Sequence, residues 1–116
     1  MTYHISGDII GATLDGILET ILGAFNAARV VKRSREEARL TSDDFDLDIY
    51  TFRPSGTGTA DFLIGGKVTA DKEAAIGLVK ELSRALTDAG IEQYLNVYDE
   101  CTSHSEVMFA IKSPKF

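Results

Sequence analysis

Four stretches of the chain alternate apolar and polar residues with a period of two, and they fall into two pairs on either side of a helical stretch. This arrangement constrains the fold more than any other feature, because alternation of that kind belongs to strands with one buried face. "DLDIYTF" sets Leu47, Ile49 and Thr51 against Asp48, Tyr50 and Phe52, and "TADFLIGGKV" sets Ala60, Phe62, Ile64, Gly66 and Val68 against Asp61, Leu63, Gly65 and Lys67. Between them "RPSGTG" reads as a hairpin loop. "YLNVYDE" and "EVMFAIK" form the second pair, joined by "CTSH". The opening "TYHISGDII" alternates more weakly, and its Gly7 suggests a bulge.

Two helical patterns complete the set. Leu14, Ile17, Leu18, Ile21, Leu22, Phe25 and Ala28 recur at steps of three and four, with Thr13 as N-cap and Asp15 in the first turn. Beside them Gly16, Thr20, Gly23 and Ala27 form a stripe of small residues, which predicts a close approach by backbone. The charged block that follows leaves the end of this helix open as far as Leu40. The second helix starts at Asp71 and Glu73, buries Ala75, Val79, Leu82, Leu86 and Ala89, and stops at Gly90. There Ile91 is expected to fold back on Leu86, the apolar contact of a left-handed glycine cap.

Taken in order, these elements run strand, helix, strand, strand, helix, strand, strand. The first six match a split β-α-β arrangement, so the expected fold is an α+β, ferredoxin-like two-layer sandwich, βαββαβ plus an appended C-terminal strand. Two helices would cover one face of an antiparallel sheet. At 116 residues, with 44% apolar and 26% charged residues, one soluble domain over 1–116 is expected.

The net charge of -6 disfavours nucleic acid, whose phosphates call for lysine and arginine. "RVVKRSREEAR" is basic, but "DDFDLD" follows at once with Asp43, Asp44, Asp46 and Asp48, a pattern expected of a solvated helix end and loop. No apolar run nears the roughly 20 residues of a membrane span, and no signal peptide is evident. On those grounds the expected location is cytoplasmic, and the single cysteine, Cys101, adds only that it is compatible with a reducing compartment.

The glycine-rich stretches fail as phosphate loops. "GATLDGIL" carries Ile17 and Leu18 where a lysine and a hydroxyl are needed, and "GTGTAD" has Asp61 in place of the third glycine. "YDECTSHSE" gathers Cys101 and His104, yet Asp99, Glu100 and Glu106 would raise the thiol pKa and oppose a nucleophilic dyad. As metal ligands the two would make only one arm of a zinc site, so a polar hairpin loop is the expectation, with neither metal nor cofactor. His4 reads as a strand surface or edge residue, and the adjacent acids Glu36–Glu37 and Asp43–Asp44 point apart.

What remains is a surface. With Leu47, Ile49, Phe62, Ile64, Leu95, Val97, Val107, Phe109 and Ile111 beneath the helices, the opposite face carries Tyr50, Phe52, Leu63, Tyr94, Asn96, Tyr98, Met108 and Ala110. So apolar a face predicts an interface or a binding groove. The functional expectation is a non-enzymatic binding or regulatory module that dimerises through it. The alternatives are a small-molecule-binding protein or small enzyme with its pocket on that face, and an inhibitor whose acidic patch, Asp43 to Asp48, docks on a basic partner.

Overall fold

The structure is a computed structural model that describes residues 2–25, 28–34, 36–54, 58–99 and 107–114. After strand β1 (Thr2–Ala12), Thr13 turns the chain into helix α1 (Leu14–Ala24), its hydroxyl accepting a bond from the Gly16 amide at 3.1 Å. Leu14, Ile17, Leu18 and Ile21 are buried, while Leu22 is exposed. At the two glycines of the small-residue stripe the expected close approach by backbone does not occur, and Ala27 lies outside the described residues. Gly23 faces open space, and the nearest atom to a Cβ at Gly16 would be the capping oxygen of Thr13.

Helix α1 ends at Ala24, which closes the end the sequence leaves open, and the charged block expected as a helix end and loop carries two paired strands. Strand β2 (Arg29–Lys32) pairs antiparallel with β3 (Glu37–Thr41), and β3 pairs in turn with β4 (Phe45–Pro54). The reason is a period-two pattern hidden among charges. Val30, Ala38 and Leu40 face the core, and Val31 and Arg39 face away. At the next turn the Ser42 hydroxyl accepts bonds from the amides of Asp44 and Phe45, each at 3.2 Å, folding "DDF" back into β4.

The remaining elements are β5 (Ala60–Thr69), helix α2 (Lys72–Asp88), β6 (Glu92–Asp99) and β7 (Val107–Lys112). Asp71 caps α2 by accepting from the Ala74 amide at 2.8 Å. The other end closes as its sequence predicts: Gly90 takes φ +77°, its amide bonds to Thr87 O at 3.0 Å, and the Ile91 amide bonds to Leu86 O at 2.9 Å. Ala89, expected on the buried stripe, is exposed.

Among the described residues, seven strands form one antiparallel sheet in the order β2-β3-β4-β5-β1-β6-β7. A sheet-rich α+β fold therefore replaces the expected ferredoxin-like two-layer sandwich, βαββαβ plus an appended C-terminal strand. The two strands concealed in the charged block widen the sheet at one side, beyond β4.

The core lies between one sheet face and the two helices. Ile5, Ile9, Leu40, Leu47, Ile49, Ile64 and Leu95 meet Ile17, Ile21, Val79, Leu82 and Leu86 there. Gln93 is buried in the same layer and its polar atoms are met. Its side-chain oxygen accepts from Ser83 Oγ at 2.8 Å, its Nε2 donates to Thr87 Oγ1 at 2.9 Å, and its backbone amide donates to Ser113 Oγ at 3.0 Å. Gly7 pairs regularly with Leu95; the irregularity in β1 falls instead between Ile9 and Ala12, where Gly11 has φ +64°. Among the described residues no helix is long and apolar enough to cross a membrane.

Candidate functional site

The helices leave the other face of the sheet open, and strand register fixes what shares it. One row across the strands reads Arg39, Asp48, Gly65, Ser6, Asn96 and Ala110. The next reads Glu37, Tyr50, Leu63, Asp8, Tyr94 and Lys112, and on the other side lie Thr41, Asp46, Lys67, His4 and Tyr98. Parity is as expected for Leu47, Ile49, Phe62, Ile64, Leu95 and Val97, all buried under the helices.

The expected site residues are placed unevenly. Tyr50, Leu63, Asn96 and Tyr98 line one hollow of about 410 Å³ centred on Gly65 and Ser6. Phe52 lies in a smaller neighbouring hollow with Ile10, Arg53 and Asp61, and Asp8 lines both. Tyr94 stands across from Asp8, and Ala110 is exposed opposite Asn96. Two placements on β7 need correction. The pairing of β6 with β7 slips between Val97 and Tyr98, so Met108 packs against the core instead of the open face, while Val107 turns outward and is 54% exposed. Phe109 and Ile111 pack on the core as expected.

His4 belongs to β1, a central strand, and stacks on Tyr98 with ring centroids 5.4 Å apart and planes 13° from parallel. Cys101 and His104 lie outside the described residues, as does most of "YDECTSHSE". Among the described residues no three His, Cys, Asp or Glu side chains converge on a common point.

Charge makes this face less apolar than the sequence suggests. Arg39 Nε donates to Asp46 Oδ1 at 2.7 Å and its Nη2 donates to Asp46 Oδ2, a two-pronged pair. The hydrogen bond from Arg39, and then its charge with that of Lys67, hold the Asp46 carboxyl below its ordinary range against the opposing effect of burial; Asp46 in turn raises Arg39. The pair ties β3 to β4 on the open face. It also divides the expected acidic patch: Asp43 and Asp44 sit in the turn, Asp46 is neutralised, and Asp48 stands on the open face.

Two atoms on this face stand out because Oδ1 of Asp48 and Oδ1 of Asn96 are buried and accept no hydrogen bond. Buried polar atoms are ordinarily paired. Both lie in the Gly65–Ser6 row, one strand to either side, so their backbones are three strand spacings apart, about 14 Å. Sequence reasoning missed Ser6, Asp8 and Gly65, since the weak alternation of "TYHISGDII" does not show which strands will flank it. No protein-family model matches the chain, and no curated protein matches it in sequence.

Proposed function

We propose that the protein is a non-enzymatic binding module of the cytoplasm that uses the open face of its sheet to pair with a second copy of itself. One observation carries the reading. Among the described residues, the large apolar side chains most open to solvent are Phe52 (61%), Val31 (58%), Val107 (54%) and Tyr50 (43%); strand register puts the last three on this face, and Phe52 lines a hollow there beside Asp8. Scattered exposed apolar residues need no explanation, but a collection on one surface marks an interface.

Size and charge support the same partner. Seven strands totalling 54 residues, at about 3.3 Å per residue and 4.8 Å spacing, outline a face of roughly 850 Å². That is close to the ~800 Å² each partner contributes to a stable complex. The face bears both signs of charge, Arg39, Lys67 and Lys112 against Glu37, Asp8 and Asp48, so it can complement itself about a twofold axis.

Sedimentation velocity tests the reading. At about 100 µM the chain is expected to sediment as a dimer, and Phe52→Asp is expected to weaken association at least about tenfold while leaving circular dichroism unchanged. A wild-type monomer at that concentration would overturn the proposal.

A further inference from the structure

We propose that the hollow over Gly65 and Ser6 is a binding site for an organic cation with N–H donors, an ammonium or guanidinium group. The inference rests on the open face being the working surface but not on pairing, because one chain supplies the whole lining.

Gly65 is the first reason. A Cβ built there meets nothing nearer than Ile5 O at 3.8 Å, an ordinary contact, and its backbone is outside the left-handed region. Gly7 and Gly66 differ, since a Cβ would fall 2.1 Å from Tyr94 O and 2.0 Å from Asp46 O respectively. The fold thus requires glycine at 7 and 66 and does not require it at 65, in the middle of a strand where glycine is unfavourable. What the missing side chain creates is the hollow itself. Its volume, about 410 Å³, falls within the roughly 300–1,000 Å³ of small-molecule sites.

The chemistry of the lining selects the guest. Asp8 contributes a carboxylate, Ser6 a hydroxyl and Asn96 an amide whose oxygen has no donor, while Tyr50 and Tyr98 supply aromatic rings. No lysine or arginine lines the hollow, and the guanidinium in the same row, Arg39, is already held by Asp46. One strand beyond Gly65 and outside the lining, Asp48 adds a second negative charge to the surroundings. An anion would be repelled and a neutral guest would leave the Asp8 carboxylate unanswered. A cation with N–H groups meets the acceptors and is attracted to tyrosine faces as well.

The test is a ¹H–¹⁵N NMR titration of the full chain with butylammonium and methylguanidinium chloride to about 10 mM, with neutral butanamide as control. Wild type and Phe52→Asp are titrated in parallel, so that a face covered by pairing is distinguished from a hollow that does not bind. Saturable shifts of the Ser6, Gly65 and Asn96 amides with a cation, in either protein, and none with butanamide are expected. Gly65→Val, which fills the hollow, is expected to weaken binding more than tenfold, and Asp8→Asn serves the same purpose if the valine chain does not fold. No saturable shift in either protein, an equal response to butanamide, or undiminished binding by the filled variant would overturn the proposal. A monomeric wild type that binds the cation leaves this inference standing while removing the pairing.

Discussion

At the scale of single residues, the two glycines of "LIGGKV" separate sterics from function. A Cβ on Gly66 would lie 2.0 Å from the carbonyl oxygen of Asp46 and 2.8 Å from Cα of Leu47, whereas Gly65 has room. Gly66→Ala is therefore expected to destabilise the chain by about 2–4 kcal/mol, and Gly65→Ala to change stability by no more than ~0.5 kcal/mol. Urea unfolding of both variants checks this, and equal losses would show that close approach at position 66 is not the cause. Alternation along β5 correctly turns Gly66 inward and Gly65 outward, but their different reasons depend on where β4 and β1 run, which no local pattern contains. Gln93 makes the same point from inside the core. Its position in "EQYLNV" shares the parity of Leu95 and Val97, yet only the fold brings Ser83, Thr87 and Ser113 within reach of it.

Among the elements, α2 was legible because both ends carry local chemistry, an Asp71 cap and a left-handed Gly90, that needs no distant partner. The β2–β3 hairpin was not, because its outward residues are charged and its inward ones are only Val30, Ala38 and Leu40. Charges on a helix surface and on an open sheet face look alike in sequence. The pair that joins this hairpin to β4 has a pH signature. Since the folded state lowers the Asp46 pKa, its contribution to stability is complete above the ordinary carboxylate range and is lost as pH falls through the lowered value. Asp46→Asn is thus expected to be less stable than wild type near neutrality, with the gap closing as pH falls through the lowered Asp46 pKa. Urea midpoints at several pH values measure it, and a gap independent of pH would mean that packing, not the ion pair, was lost.

For the molecule as a whole, the face parity read from β4, β5 and β6 holds, and with it the existence of one covered and one open surface. The composition of the open surface was less accessible. Tyr50, Leu63, Asn96 and Tyr98 were visible from alternation, but β3 and β1 add Arg39, Glu37, Ser6 and Asp8 among them, and a slip in the β6–β7 register removes Met108. The same topology governs when the sheet can close. β1 is bonded to β5 and β6, so Thr2 lies beside Thr69 and Tyr3 beside Asp99, whereas β4 and β5 are near neighbours in the chain. Such distant contacts form late because the loop they close is long. Ile5→Val is expected to leave the refolding arm of a chevron plot nearly unmoved and to speed unfolding, while Ile49→Val slows refolding; the reverse pattern would place β1 in the nucleus. Synthesised at about 5–20 residues per second, the nascent chain therefore carries the unpaired amides and carbonyls along one edge of β1 for several seconds before β6 exists to pair with them. A central strand waits for one made much later, and an interval of unpaired backbone edge is built into the order of the strands.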